Sequence, residues 1–273
     1  MGVSAERAGF TLVELLVSMV MLVVVGNALL AMTLAMHRIT RKQTETAALQ
    51  GSLRSGYQLL HTELVELAPE DLLGLAGDRL RYRAMRGIGE SCQVTTTTIK
   101  IPKASYAGLR PPTGGRDGVW LFLDGDSTRS SDDRWAALAL DGVTVASCPG
   151  GDEAWALTVS LLPADSATAI TPGPVRTFEE MEIGQVQEDG QEWLGIRSVG
   201  LEEPGLVPVS GPVTWNGIRF AYLDGDDAPT TAPAAVRSVV VMLRGITEQP
   251  VGTGSGGLVR GTDSLELRVR LRN

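Results

Sequence analysis

Apolar side chains occupy nearly every position from Phe10 to Met36, broken only by Thr11, Glu14, Ser18, Asn27 and Thr33. As a helix this stretch is ~40 Å long against ~30 Å of bilayer hydrocarbon, so it spans with some tilt. From Thr40 to Leu67 the pattern turns amphipathic. Leu49, Leu53, Tyr57, Leu60, Leu64 and Leu67 recur at three- and four-residue steps, with Gln43, Glu45, Arg54, Glu63 and Glu66 between them. All 14 prolines lie at or beyond Pro69, and a helix interior excludes proline at about 3 kcal/mol. The pattern predicts one continuous helix, with a transmembrane half over 10–36 and an amphipathic half over 37–68. Gly26, Gly51 and Gly56 are its expected weak points.

Beyond Pro69 the period shortens to two. Val94–Ile101, Val119–Leu123, Val143–Ala146, Ala154–Leu162, Trp193–Val199, Ile218–Leu223, Ser238–Leu243 and Leu265–Leu271 read as short strands. Turn-forming pairs sit between or beside them: Asp117-Gly118, Asp141-Gly142, Asp189-Gly190 and Asn216-Gly217. The clearest hairpin joins Glu182–Glu188 to Gln191–Val199 through Asp189-Gly190. Arg79, Arg81 and Arg83 alternate onto one face of what reads as a solvated or salt-bridged strand rather than a DNA groove. About 200 residues of this kind bury a core of their own. The fold class is therefore α+β: a long N-terminal helix followed by an antiparallel, sheet-rich globular domain over 69–273.

One carboxylate, Glu14, stands inside the apolar stretch, where an ionised group costs about 2.5–3.5 kcal/mol by insertion scales. Glu14 follows Phe10 by four residues, so the two share a helix face. A cut between Gly9 and Phe10 would create an α-ammonium to match it. Gly9-Phe10-Thr11-Leu12-Val13-Glu14-Leu15-Leu16-Val17, with Arg7 two residues before the glycine, resembles the signal of type IV prepilins and type II secretion pseudopilins. The resemblance implies a leader over 1–9, cleavage between Gly9 and Phe10 by prepilin peptidase, and N-methylation of Phe10. It also implies a role for Glu14 in assembly, and other pilins or pseudopilins as partners after membrane lipid. A pilin-like fold is expected, with large minor pilins and J-type pseudopilins as the nearest kinds. The competing readings of this stretch are an uncleaved signal anchor and a secretory signal cleaved near Ala28–Ala35.

Arg38, Arg41 and Lys42 outnumber Arg7 and the initiating amine, and a positive-inside count alone would leave the C-terminal part in the cytoplasm. The resemblance implies the reverse: a single pass through the inner membrane, with the globular part extracytoplasmic and then in a filament. Cys92 and Cys148 agree with export. An even count in an exported chain favours a disulfide, worth up to roughly 4 kcal/mol for a loop of this length; two buried thiols are the alternative.

The formal charge of −8 is the wrong sign for non-specific nucleic-acid binding. Gly252–Gly257 satisfies G-x-G-x-x-G but precedes a strand, which makes it a surface loop rather than a cofactor site. His37 and His61, the only histidines, have no nucleophile partner, so no catalytic residue, enzyme activity or cofactor is expected. Asp124, Asp126, Asp132 and Asp133, and Asp224, Asp226 and Asp227, place oxygens at calcium-like spacing, yet aspartate and glycine are also ordinary turn formers. No metal site is assigned. The resemblance therefore implies a minor pilin or pseudopilin, and the size of the globular part beside a slender shaft adds the expectation that it helps to initiate a filament from its tip. A membrane-anchored adhesin or ligand-binding module is the alternative of another class.

Overall fold

The computed structural model describes residues 11–125, 128–129, 131–161, 163–201, 204–252 and 257–272. The expected long helix is α1 (Leu12–Leu64). It stops ahead of the predicted end at Ala68, which is extended (φ −105°, ψ 164°) as a residue before proline must be.

The strands that follow are β1 (Leu72–Leu75), β2 (Arg79–Ser91), β3 (Gln93–Val94), β4 (Thr98–Pro102), β5 (Ala107–Gly108) and β6 (Asp117–Leu123). Next come β7 (Arg134–Ala139), β8 (Gly142–Ser147), β9 (Glu153–Thr158), a short helix α2 (Pro163–Thr168), β10 (Gly173–Glu188) and β11 (Gln191–Ser198). The chain closes with β12 (Val207–Leu223), β13 (Ser238–Ile246), β14 (Val251–Gly252), β15 (Leu258–Val259) and β16 (Thr262–Arg270). Two compact units result, one formed by the chain up to Ala48 with Thr247–Gly261, the other by Leu49–Ile246 with the chain from Thr262 onward.

In the first unit the helix exposes its side chains from residue 11 to residue 44. By length and composition α1 is able to cross a membrane. The segment after Thr247 docks on the helix. Glu45 accepts the Gln249 N–H at 3.0 Å, Arg41 reaches the Gln249 side chain at 3.4 Å, and β14 pairs with β15. Thr253–Gly256, the middle of the glycine-rich motif, lies outside the described residues.

The second unit holds an antiparallel sheet in the order β1-β2-β10-β11-β12-β13-β16. The helix stripe packs on it. Leu49, Leu53, Leu60, Leu64 and Leu67 are buried against Leu80, Tyr82, Ile183, Ile218, Val239 and Val241. Tyr57 is only half-buried, and Gly56 takes the buried place in its row. A Cβ on Gly56 would lie 2.9 Å from Leu243 Cδ2 and 3.0 Å from Ser210 Oγ. Gly56 is thus not a weak point but the residue that lets helix and sheet approach.

The Asp189-Gly190 hairpin forms as expected. Glu188 pairs with Gln191, and both turn residues have positive φ (51° and 73°), as a two-residue type I′ loop requires. Two other turn pairs do something else. Asp117-Gly118 opens β6, where the Phe178 ring would lie 2.1 Å from any Cβ on Gly118. Asn216-Gly217 sits in a bulge inside β12, between the pairs Val213↔Gly245 and Ile218↔Leu243. The expected Val94–Ile101 strand is a hairpin of β3 and β4, folded because the Thr95 hydroxyl accepts the Thr98 N–H at 3.0 Å.

β2 and β10 pair directly, from Ser91↔Gly173 to Arg79↔Gly184, so everything between them is an inserted lobe. A four-stranded sheet, β3-β4-β9-β8, packs with β6 and β7 around Ile99, Ile101, Val119, Leu121 and Leu157. A Cys92–Cys148 disulfide (Cα–Cα 5.8 Å) ties the start of this lobe to the end of β8. β10 carries both cores because its second edge forks. β6 takes Val175–Glu179 and β11 takes Met181–Glu188.

Candidate functional site

Gly9 and Phe10, the expected cleavage and methylation positions, lie outside the described residues, as does the rest of the leader. The description begins at Thr11, immediately before α1. Glu14 Oε2 accepts the Thr11 N–H and the Thr11 hydroxyl, both at 3.0 Å. Thr11 Oγ1 in turn accepts the Glu14 N–H at 3.3 Å. This is a capping box, in which a threonine and a glutamate three residues on satisfy each other's backbone donors. In an apolar medium those N–H groups have no water to turn to, so the box matters more there than at an aqueous helix end. Ser18 continues the pattern by returning its hydroxyl to the Glu14 carbonyl at 2.7 Å. The T-x-x-E spacing is a capping signature present in the sequence, beside the charge of Glu14 and its four-residue distance from Phe10.

Glu14 keeps its second carboxylate oxygen, Oε1, without a hydrogen bond among the described residues. Its side chain is exposed, as are its apolar neighbours along the helix. A carboxylate is thus held at the start of a membrane-length helix, with one oxygen committed to its own chain. The Prokaryotic N-terminal methylation motif matches residues 5–26. This is a prepilin-type signal.

The prepilin-type signal supports a type IV pilin or pseudopilin, a structural rather than enzymatic protein. It implies processing by prepilin peptidase and assembly with other pilins. With the apolar helix it is consistent with single-pass anchoring in the inner membrane. The match ends inside α1. No curated protein and no solved structure matches the chain.

The remaining sequence candidates fall in the second unit. Asp224 uses its carboxylate within a turn, accepting the N–H groups of Asp226 and Ala228 at 3.0 and 2.9 Å, and Asp227 pairs with Arg268. Asp126 lies outside the described residues. The arginines of β2 are salt-bridged, Arg79 to Glu182 at 2.9 Å and Arg81 to Glu180 at 2.7 Å.

Sequence reasoning missed the charge cluster at the β10 fork. Glu179, with its side chain 3% exposed, meets Arg116 at 2.5 Å, Arg86 at 3.0 Å and Arg110 at 3.4 Å. Arg110 also grips Asp117 through two nitrogens, at 2.6 and 2.5 Å. From α1, Glu63 accepts the Tyr82 hydroxyl at 2.9 Å and faces Arg86 at 3.6 Å. Burial alone would push the Glu179 carboxyl up, but hydrogen bonds led by that from Arg116 hold it at about 2. Burial pushes the Tyr82 phenol well above its ordinary range, and Glu63 adds to it. The cluster joins helix, central sheet and inserted lobe at the point where the sheet divides. The signal available in the sequence was Glu179, Glu180 and Glu182 inside an otherwise strand-like run, opposite four nearby arginines.

Proposed function

We propose that the protein is a low-copy minor pilin or pseudopilin, held as a precursor by residues 10–36 with residues 69–273 on the extracytoplasmic side. Prepilin peptidase cuts between Gly9 and Phe10 and methylates the new Phe10 amine. The helix then leaves the bilayer and packs among like helices in a filament core. The observation that carries this reading is the prepilin-type signal at residues 5–26, joined to an unbroken helix with an exposed apolar surface.

Glu14 gives the helix its register. Its Oε2 serves Thr11, which leaves Oε1 for the Phe10 α-ammonium of an adjacent subunit, a counter-charge in place of lost solvation. A second lobe with its own core makes the globular part bulky beside a slender shaft, which favours a place at the tip and a role in starting assembly. A J-type pseudopilin of type II secretion fits the same observations, since the signal is common to both. Glu14→Leu tests the pairing. The variant is expected to be trimmed normally yet missing from sheared filaments, and assembly at the wild-type level would contradict the pairing.

A further inference from the structure

α1 carries a basic stripe immediately beyond its apolar stretch. Arg38, Arg41, Lys42 and Glu45 follow one another at steps of three, one and three residues, which places them on one helix face. The segment after Thr247 docks on that face. The Gln249 N–H donates to Glu45 at 3.0 Å, and the Gln249 side-chain oxygen accepts from Arg41 at 3.4 Å. Arg38, Lys42 and the hairpin's own Arg260 meet no carboxylate among the described residues.

The hairpin is incomplete in water. β14 pairs with β15 through Val251↔Val259 and Gly252↔Leu258. Val251 is buried, whereas Leu258 and Val259 are 72% and 52% exposed. Successive strand residues point to opposite faces, so neither face of β15 is covered. No charged residue occurs from Gln249 to Val259, and Arg260 follows at once. Uncovered apolar side chains beside unmatched cations are the composition of a segment that lies on a membrane surface.

Position agrees with composition. Arg41 and Glu45 stand five and nine residues beyond Met36, where the apolar stretch ends, or ~8–14 Å along the helix. Leu258 lies opposite Gly252, three residues past Gln249, a reach of ~10 Å. A hairpin that follows the stripe back toward Arg38 brings Leu258 to the headgroup layer, which is ~5–8 Å deep on each side of the hydrocarbon.

Charge selects the occupant. On the stripe and the hairpin, Arg38, Arg41, Lys42 and Arg260 stand against Glu45 and Glu248, so this part is locally cationic in a chain of net charge −8. An anionic lipid surface attracts such a cluster. A neighbouring apolar helix would cover Leu258 and Val259 but leave the cations unmatched. We propose that the β14–β15 hairpin docks on anionic phospholipid at the extracytoplasmic face of the bilayer. Leu258 and Val259 enter the headgroup layer, and Arg38, Lys42 and Arg260 meet the phosphates. The excess of basic residues after the span then serves lipid contact and not orientation.

The inference rests on residues 10–36 crossing the bilayer, and its test separates the two. The full chain is reconstituted in phosphatidylcholine vesicles with or without phosphatidylglycerol. An environment-sensitive fluorophore is attached at Leu258→Cys or, for reference, at Leu109→Cys, an exposed position of the second unit. Alkaline carbonate extraction reports on the span. The expected result is a carbonate-resistant chain whose emission at 258 shifts to the blue with phosphatidylglycerol and is quenched by lipids with a nitroxide near the headgroup, while emission at 109 stays unshifted. Arg38→Gln and Lys42→Gln should each lower the ratio of docked to undocked hairpin about fivefold. A carbonate-resistant chain with position 258 as wet as position 109 would overturn the docking alone. A shift at 258 that follows the protein-to-lipid ratio and ignores phosphatidylglycerol would assign the surface to a second copy, and would also overturn it. Release by carbonate would overturn the span and the docking together.

Discussion

Ser52 and Gly211 exchange two hydrogen bonds: the serine hydroxyl accepts the Gly211 N–H at 2.9 Å and donates to the Gly211 carbonyl at 2.7 Å. One side chain on α1 thus satisfies both backbone groups of a residue in β12. Ser210 completes the clamp by donating its hydroxyl to the Ser52 carbonyl at 2.7 Å. Ser52→Ala should leave Gly211 without these partners and lower stability by about 1–3 kcal/mol. Thermal unfolding of the detergent-solubilised protein measures it, and an unchanged midpoint would mean that water replaces the hydroxyl at no cost.

Gly51 and Gly56 should respond in opposite directions to alanine. Nothing lies within 4 Å of a Cβ on Gly51, whereas on Gly56 it would press on Leu243 and Ser210. Gly51→Ala should stabilise the helix by about 0.5–1 kcal/mol, and Gly56→Ala should destabilise by roughly 1–3 kcal/mol through overpacking. Parallel unfolding curves decide it, and two shifts of the same sign would contradict the packing described.

Glu179 should give the globular part an acid-sensitive limb. Its carboxyl is held at about 2 in the folded protein, against an ordinary value of 4.5. The unfolded chain therefore binds the proton first as pH falls. The contribution is fully present above pH 4.5 and is lost progressively down to about 2, a change on the order of 3 kcal/mol. Glu179→Gln should remove that limb and cost about 3–5 kcal/mol at neutral pH, since three arginines lose their shared charge. Unfolding midpoints taken between pH 2 and 7 would show it, and parallel pH profiles for wild type and variant would refute it.

Reducing the Cys92–Cys148 bond should act on the inserted lobe. Chain-entropy reasoning gives up to roughly 4 kcal/mol for a loop of this length. Hydrogen exchange after reduction should rise across β3, β4, β8 and β9 and change little in β12 and β13. A uniform rise would mean that the two cores do not behave separately.

The helix was legible in the sequence because its apolar pattern runs without proline as far as Ala68; its actual end at Leu64, ahead of Pro69, was not. The Asp189-Gly190 hairpin was legible because both of its residues tolerate positive φ. The two-core plan was hidden, since it depends on Ser91 pairing with Gly173 across the whole lobe, and no local pattern encodes such a contact. β10 escaped notice in its first half because Thr177 and Glu179 are buried polar residues, which blur alternation. At the helix start, the charge of Glu14 and the T-x-x-E capping spacing are both written in the sequence.

The most direct test of the central claim is the intact mass of the protein extracted from membranes. The account predicts a chain that begins at Phe10 and carries one added methyl group on its amine. A chain that begins at Met1, or near Ala31, would contradict it.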